Sequence, residues 1–334
     1  MRAWVLEQPG AVETHPLELR DRPVPEPGPG EIRVRVEVCG VCRTDLHVVE
    51  GDLAPQRAGV VPGHQVVGRV DSLGPRTAAP PPGTRVGVAW LNRSCGTCRF
   101  CQGDRENLCL DPVFTGWQAD GGYADFVVAA AEFVHEIDDD AEAEQVAPLL
   151  CAGVIGYRAF LRSGARGGSR LGLWGFGASA HIVIQIARHA GCEVHVFSRE
   201  PAHADLAREL GATWVGTSHQ APPHPLDAAI LFAPAGELVP TALSRLDRGG
   251  TLAVAGIHLS AIPALDYAEH LFHERSLTSV TANTREDARA LLRLAREIPV
   301  RTHVCSYPLS EAGAALINLK AGRLRGAAVL RVGA

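Results

Sequence analysis

The chain has 334 residues, of which 46% are hydrophobic and 21% charged, and its 32 basic and 37 acidic side chains give a net charge of −5. This composition excludes a disordered or collagen-like chain, and the length predicts about two domains. The negative charge argues against nucleic acid or an anionic membrane as a partner. The first residues lack a signal-peptide pattern, and no run of about 18 apolar residues occurs, which predicts a cytoplasmic protein.

The first 150 residues predict a β-rich domain. Short apolar or alternating runs, separated by Pro- and Gly-rich turns, are typical of short strands. We expect strands at 32–38, 66–70, 85–90 and 123–128.

After Cys151 the pattern changes to strands that alternate with helices. We expect strands at 171–174, 193–197, 214–215, 228–232 and 251–255, and helices at 178–190, 202–210 and 238–246. This alternation predicts an α/β domain with a doubly wound parallel sheet. The remaining chain is expected to form a helix at 286–297 and strands at 302–307 and 327–332.

Four of the nine cysteines lie close together, at Cys95, Cys98, Cys101 and Cys109. Zinc in structural sites takes four tetrahedral ligands, and a spacing of two residues lets one tight turn supply a pair of them. Unligated thiols or disulfides are the alternative, but the cysteines are too sparse for a disulfide scaffold. The spacing therefore predicts a closed, structural zinc site.

Three further candidate metal ligands lie far apart in the sequence. Cys42, His64 and Cys151 each occur in or beside a Gly-containing segment. Two thiolates and one imidazole would leave a fourth zinc position open for water or substrate, as in catalytic sites. Taken singly, each residue is more often a core cysteine or a surface histidine, so spacing alone leaves the question open.

Four segments taken together resemble the zinc-dependent medium-chain alcohol dehydrogenases, and the resemblance extends essentially from end to end. The segments are residues 39–47, 62–68, 95–109 and 148–157. The resemblance implies that Cys42, His64 and Cys151 bind a catalytic zinc and that the four-cysteine cluster binds a structural zinc. Two Zn²⁺ ions per chain are therefore expected. The sequence departs from the family at Gln65, where a glutamate is usual, at Ile155, where many relatives have a threonine, and within 326–329, where alanine replaces a frequent arginine.

The same resemblance implies roles for residues around the metal. Asp45 is expected to hydrogen-bond the ring of His64 and fix its tautomer. Thr44 and His47 are expected to carry away the proton that the alcohol loses. Arg43 matches a position that contacts the cofactor pyrophosphate. Two indoles, Trp90 and Trp117, are expected to line the substrate cleft, with ordinary core packing as the alternative.

A glycine-rich turn predicts a dinucleotide site. Gly175, Gly177 and Ala180 form a G-x-G-x-x-A pattern that follows a predicted strand and opens a predicted helix. The glycines permit a tight turn and close approach of pyrophosphate, and the helix N-terminus offers free N–H groups to the anion.

The residues after the second strand of this domain favour NADP over NAD. A carboxylate there usually binds the ribose 2′-hydroxyl of NAD. Ser198 and Arg199 occupy this place, and a hydroxyl and a guanidinium suit a 2′-phosphate. The alternative is that Glu200 holds the 2′-hydroxyl while Arg199 packs on adenine.

These observations predict a GroES-like catalytic domain at 1–152 and 284–334 and a Rossmann cofactor-binding domain at 153–283, with nicotinamide in the cleft between them. The expected reaction is reversible hydride transfer between primary alcohols or aldehydes and NAD(P), by a homo-oligomer, either a dimer or a tetramer. The alternatives are a polyol dehydrogenase, a zinc-free quinone reductase and a zinc-ribbon binding or regulatory protein.

Overall fold

The computed structural model describes residues 1–298 and 300–333. The strands are β1 (Arg2–Leu6), β2 (Leu17–Asp21), β3 (Glu31–Val41), β4 (Val66–Leu73), β5 (Arg85–Val88), β6 (Leu91–Arg93), β7 (Val113–Phe114), β8 (Phe126–Ala130), β9 (Val134–Glu136), β10 (Arg170–Trp174), β11 (Glu193–Phe197), β12 (Trp214–Gly216), β13 (Leu226–Leu231), β14 (Leu246–Val254), β15 (Ser276–Ser279), β16 (Val304–Pro308) and β17 (Ala327–Arg331). The α-helices are α1 (Arg43–Glu50), α2 (Ala143–Val146), α3 (Ala152–Ser163), α4 (Ala180–His189), α5 (Pro201–Glu209), α6 (Leu238–Ser244), α7 (Tyr267–His270), α8 (Arg285–Glu297) and α9 (Ala312–Lys320).

Contacts within the chain divide it into two compact units. Unit 1 consists of residues 1–151, 282–290 and the chain from 302 onward, and unit 2 of residues 152–281 and 291–301. This division differs from the predicted one at residues 291–301, which belong to unit 2. The reason is visible at Arg301, whose backbone N–H and C=O both hydrogen-bond the side chain of Gln185 in that unit.

Unit 1 is built on a seven-stranded sheet in the order β16-β17-β3-β4-β5-β9, with β8 paired to β3. Strand β3 alternates apolar and polar residues, and Ile32, Val34 and Val36 are buried in the core while the side chains between them are partly or fully exposed. Antiparallel pairing of β3 with β4 sets Cys39 opposite Val66. The end of β3 and the start of β4 therefore lie side by side, immediately next to Cys42 and His64.

Several elements of unit 1 differ from the sequence prediction. The strand expected at 123–128 begins only at Phe126, because the backbone of Tyr123 bonds Trp4 and Pro62 instead of β3. The hairpin β1–β2 and helix α9 were not predicted. The strand predicted to end at Trp90 ends at Val88.

Unit 2 contains six strands in the order β12-β11-β10-β13-β14-β15, and all neighbouring pairs are parallel. This order reverses direction at β10, as in the doubly wound dinucleotide-binding folds, and it confirms the predicted parallel sheet. The central strands are buried and nearly all apolar, as expected for strands covered on both faces. Helix α3, which directly follows Cys151, was not predicted.

No helix among the described residues is long and apolar enough to cross a membrane. This agrees with the absence of a long apolar run in the sequence.

A buried histidine of unit 1 makes stability depend on pH. His135 lies in β9, and its Nδ1 atom is buried without a hydrogen-bond partner among the residues that the structure describes. Burial, with the positive charges of Arg289 and Arg285, lowers the pKa of His135 to about 4. The unfolded chain, with an ordinary pKa of about 6.5, binds this proton more tightly than the folded chain, so stability falls as the pH drops from about 6.5 toward 4.

We expect the free energy of unfolding to decrease by about 2 kcal/mol between pH 7 and pH 5 on account of this group. Urea unfolding of the parent and of His135→Gln at both pH values measures the effect. The variant should lose that part of the pH dependence. An equal loss of stability in both proteins would contradict the assignment to His135.

Candidate active site

Three side chains from distant parts of unit 1 converge on one point. The Sγ atom of Cys42 lies 3.3 Å from Nε2 of His64 and 4.0 Å from Sγ of Cys151. Around a tetrahedral zinc ion, ligand atoms of these types stand about 3.6–3.8 Å apart. His64 and Cys151 are buried, and Cys42 is partly buried. The three donors therefore fit one zinc ion with a fourth position left for another ligand.

The local fold explains why Cys42 and His64 meet. Cys42 directly follows β3 and caps helix α1, since its sulfur accepts a hydrogen bond from Thr44 N–H. His64 follows Gly63, whose φ of +98° favours glycine, and a Cβ atom there would lie only 2.4 Å from the ring of Tyr123. A larger residue at position 63 would displace the histidine from the sulfur.

Asp45 links the two ligand segments. Its Oδ1 atom lies 2.9 Å from Nδ1 of His64 and accepts the Gly63 N–H at 3.1 Å, while Oδ2 accepts the Cys42 N–H at 2.9 Å. Because a carboxylate only accepts, Nδ1 of His64 must carry the proton. This leaves Nε2, the nitrogen that faces Cys42, to bind a metal.

The electrostatics of this cluster favour a cation. Burial lowers the pKa of the His64 imidazole, but the charges of Asp45 and Cys42 outweigh it and raise that pKa to about 10. Burial also opposes the Cys42 thiolate, yet the bond from Cys151 and the charge of His64 hold the pKa of Cys42 well below its ordinary value. The Cys42 bond and burial raise the pKa of Cys151 well above its ordinary value. A divalent cation held by Nε2 and the two sulfurs would stabilise both thiolates and would take the place of the imidazole proton.

The four-cysteine cluster forms a second group of ligand atoms. The sulfur atoms of Cys95, Cys98, Cys101 and Cys109 all lie within 4.8 Å of one another. The Cys95–Cys101 and Cys98–Cys101 distances are 3.9 and 3.6 Å, close to the value of about 3.8 Å expected around tetrahedral zinc. No disulfide joins them. Four sulfur donors complete the coordination of zinc, so this site has no position for a substrate.

The predicted proton-relay residues lie on helix α1. Thr44 and His47 are three residues apart, which places them on one face of the helix, and both are buried. Arg43, at the start of the same helix, is exposed. Sequence reasoning missed Asp52, whose Oδ2 lies 2.8 Å from Nδ1 of His47. The sequence offered one signal for it, because a glycine such as Gly51 commonly ends a helix and turns the chain, so the next residue can fold back toward the last turn.

Three stacked aromatic rings stand beside the zinc ligands. Trp90 meets the His64 ring edge-on, with ring centroids 4.9 Å apart. Phe114 stacks on Trp90 at 4.8 Å, and Trp117 stacks on both. The sequence singled out the two indoles but missed Phe114, because that residue joins them only through the pairing of β6 with β7.

Two buried polar groups near His64 have no hydrogen-bond partner among the described residues. The Nε2 atom of Gln65 is unpaired, and the side chain lies against Gly40. The Tyr123 hydroxyl is also unpaired, and burial together with the Asp45 charge raises its pKa well above the ordinary value. Tyr123 is a second residue that the sequence did not single out.

The glycine-rich turn of unit 2 has the geometry of an anion site. Gly175 has φ +88°, and a Cβ atom at Gly177 would meet no atom within 4 Å. Helix α4 begins at Ala180, and Ser179 before it provides no capping bond to the first N–H groups. A phosphate can therefore approach the backbone at Gly177 closely, whereas the N–H groups of His181 and Ile182 already bond the carbonyls of Gly177 and Ser179.

At the end of β11, the three residues that bear on cofactor choice are accessible. Ser198 accepts the backbone N–H of Glu200 at 3.3 Å. The Arg199 side chain is 91% exposed, and its Nε atom lies 3.3 Å from the carboxylate of Glu200. The guanidinium is thus available to an anionic ligand.

Comparison with known proteins identifies the family. Residues 28–139 match the model of the alcohol dehydrogenase GroES-like domain, and residues 180–297 match that of the zinc-binding dehydrogenases. A probable alcohol dehydrogenase of Mycobacterium tuberculosis is 50% identical over 337 residues, covering 99% of this chain and 97% of the relative. The chain belongs to the zinc-dependent medium-chain alcohol dehydrogenase family. It is an oxidoreductase, and the predicted GroES-like and Rossmann folds are confirmed.

Other relatives agree with this assignment. An alcohol dehydrogenase of Geobacillus stearothermophilus is 31% identical, covering 99% of this chain and 100% of the relative. Among solved structures, a cobalt- and zinc-bound thermostable alcohol dehydrogenase of Pyrobaculum aerophilum superposes with a TM-score of 0.91 at 26% identity, covering 99% of each chain. A cinnamyl alcohol dehydrogenase of Sorghum bicolor gives a TM-score of 0.90 at 27% identity, covering 99% of this chain and 97% of the other.

Proposed function

We propose that this dehydrogenase catalyses reversible hydride transfer between primary alcohols or aldehydes and NADP, using a zinc ion held by Cys42, His64 and Cys151. The observation that carries the proposal is the convergence of these three donors in a geometry that leaves one zinc position for substrate. Assay of a panel of primary alcohols and aldehydes with each cofactor tests it. No turnover by zinc-loaded protein with any member would contradict it.

A zinc ion held by Cys42, His64 and Cys151 would supply a Lewis acid for the substrate oxygen, and a bound nicotinamide cofactor would supply the hydride acceptor. The chain's own residues hold the geometry and move the proton. Asp45 keeps Nδ1 of His64 protonated and so directs Nε2 toward the metal. Thr44 accepts the proton that the alcohol hydroxyl loses, and His47 releases a proton to solvent.

We further propose two zinc ions per chain, the second held by the four-cysteine cluster. Four sulfur donors at tetrahedral spacing support this count. A zinc-ribbon protein would bind one ion, and a zinc-free quinone reductase would need neither set. Cys151 as third ligand disfavours a polyol dehydrogenase, which commonly uses glutamate there.

The exposed Arg199 supports NADP as the cofactor, since its guanidinium suits a 2′-phosphate. We expect kcat/KM for NADP⁺ to exceed that for NAD⁺ by about tenfold, the value of one charge-assisted hydrogen bond. Arg199→Ala should remove this preference, because the guanidinium that would contact the 2′-phosphate is lost, together with its ion pair to Glu200. Arg208→Ala, an exposed arginine on α5, serves as control. A tenfold preference of the parent for NAD⁺ would mean that Glu200 holds the ribose instead.

The stacked rings of Trp90 and Trp117 support a narrow, apolar substrate site suited to small and medium primary alcohols, benzyl alcohol included. We expect Trp90→Ala to raise kcat/KM for hexanol relative to ethanol by about tenfold or more, since contact with even one further methylene of the longer chain is worth about 1–3 kcal/mol. Steady-state kinetics over the alcohol series measures this ratio, and zinc content checks that His64 is undisturbed. A constant ratio with zinc retained would remove Trp90 from the substrate site.

We also propose that the enzyme is a homo-oligomer, either a dimer or a tetramer. Strand β15 pairs only with β14 among the described strands, so its outer edge is open to a second copy of the chain. Just before β15, the aromatic side chains of Tyr267 and Phe272 are 66% and 59% exposed and contact each other. Exposed aromatic residues beside an open strand edge are typical of subunit interfaces. Light scattering of the purified chain measures the mass.

A further inference from the structure

The chain carries a single side-chain amine. Of its 32 basic side chains, 31 are arginines, and Lys320 is the one lysine. A guanidinium does not lose its proton in proteins, whereas a lysine that loses a proton exposes a nucleophilic lone pair on Nζ. Aldehydes condense with such amines to form imines. Lys320 is therefore the side chain whose chemistry is suited to reaction with an aldehyde.

Lys320 joins the ends of three elements of unit 1. It is the last residue of α9, and its Nζ atom lies 2.8 Å from Oε2 of Glu13 and 2.7 Å from Oε1 of Glu50. Glu50 is the last residue of α1, and Glu13 belongs to a 3₁₀ helix at Val12–Thr14. The same Oε1 atom of Glu50 accepts the Val12 N–H at 3.0 Å. Two carboxylates from separate elements thus occupy two of the three ammonium donors.

The charged groups around the ammonium keep its proton in place. The hydrogen bonds to Glu13 and Glu50 raise the pKa of Lys320 above its ordinary value. Arg323, on the turn after α9, instead directs its Nε atom to Oδ1 of Asn318 at 2.9 Å. Because the lone pair is available only when the ammonium has lost a proton, the two carboxylates lower the fraction of reactive amine.

We propose that Lys320 is the side chain at which aldehydes modify this enzyme, and that Glu13 and Glu50 restrain the reaction by holding its ammonium in two ion pairs. The inference rests on the proposed function for the source of the aldehyde. In the reaction the ammonium releases one proton to water, and Nζ attacks the carbonyl carbon. The C=O bond is then replaced by C=N with loss of one water molecule. No electrons are exchanged, and hydrolysis reverses the step.

An imine at Lys320 would disrupt the contact between these elements. The imine nitrogen carries at most one proton, so it cannot donate to both carboxylates. The side chain of Lys320 is 36% exposed and can be reached by an aldehyde, whereas that of Glu50 is 17% exposed. Glu50 also lies at the C-terminal end of α1, where the helix dipole disfavours a carboxylate. Restraint of the reaction therefore preserves the end of α1.

Reductive trapping of the zinc-loaded full chain with propanal tests the proposal. Cyanoborohydride converts each imine to a stable secondary amine, and peptide mass spectrometry measures the modified fraction at each lysine. Arg248→Lys adds a reference lysine at an exposed position of β14 within the same molecule. We expect Lys320 to be modified about fivefold more slowly than this reference, which is the combined effect of two surface ion pairs.

Variants of the two acids identify the cause of the difference. Glu13→Gln and Glu50→Gln keep a hydrogen-bond acceptor but remove the charge. Each should speed modification of Lys320 relative to the reference by about two- to threefold, and the two together should bring both lysines to similar rates. Asp21→Asn, which removes an exposed acid on β2, should leave the ratio unchanged. The melting temperature of each variant confirms that it is folded.

Three outcomes would overturn the inference. They are equal rates at Lys320 and the reference lysine, a ratio that neither glutamine replacement changes, and adducts on other side chains with none at Lys320. The labelling needs no turnover, so it decides the restraint by Glu13 and Glu50 separately from the proposed function. A chain that oxidises no alcohol would overturn the proposed function and leave the labelling result in place.

Discussion

Replacing Cys42 by serine lowers kcat/KM for alcohol oxidation by about 10³-fold or more and removes one zinc ion per chain. The reason is that Cys42 is one of the three donors found among the described residues, and it also caps helix α1, which carries the relay residues. Loss of a Lewis acid that supplies several kcal/mol of charge stabilisation corresponds to at least this factor. Zinc analysis and steady-state kinetics on the same preparation measure both effects.

Cys192→Ser provides the matched control for this experiment. Cys192 is a buried thiol of unit 2 that bonds the carbonyl of Arg166, a contact that a serine hydroxyl can also make. We expect its zinc content and kcat/KM to match the parent. If Cys42→Ser retained both zinc and activity, the catalytic centre would have to lie elsewhere.

Cys98→Ala should cause the largest loss of stability. Cys98 is one of four sulfur donors of the cysteine cluster, and backbone bonds hold the pKa of its thiol at about 6, so it is ready to bind zinc as thiolate. Structural zinc in small domains contributes about 10 kcal/mol or more to folding. Losing one ligand of four should therefore destabilise the segment from Cys95 to Cys109 by several kcal/mol.

Thermal unfolding and limited proteolysis measure this effect. We expect Cys98→Ala to lose one zinc ion, unfold at a temperature lower by about 10 °C or more, and be cleaved within the cluster loop. Gln102→Ala, an exposed change in the same loop, should behave as the parent. Unchanged zinc content and melting temperature in Cys98→Ala would show that the cluster binds no structural metal.

Much of the fold follows from short-range patterns that packing then reinforces. The strand predicted at 193–197 coincides with β11, and most other strands and helices of unit 2 lie within a few residues of their predicted bounds. Buried parallel strands have continuous apolar sequences, and amphipathic helices separate them. In unit 2 the sequence pattern therefore predicts the same elements that packing stabilises. Helix α9 was not predicted, and it packs against α1 and β16.

The candidate site likewise contains residues that the sequence identified and contacts that only the structure reveals. The ligands Cys42, His64 and Cys151 were identified by resemblance, because no local pattern relates residues so far apart. The structure adds the reason why Cys42 and His64 meet, namely the antiparallel pairing of β3 with β4. Contacts such as Phe114 on Trp90 depend on cross-strand pairing and have no sequence signal of their own.

Zinc anomalous scattering from crystals of the full chain tests the central claim most directly. We predict one peak within bonding distance of the Cys42 sulfur, Nε2 of His64 and the Cys151 sulfur, at about 2.3 Å from each sulfur and about 2.0 Å from the nitrogen. If crystals grown with zinc instead showed these three atoms too far apart to share any peak, the dehydrogenase mechanism described above would be wrong.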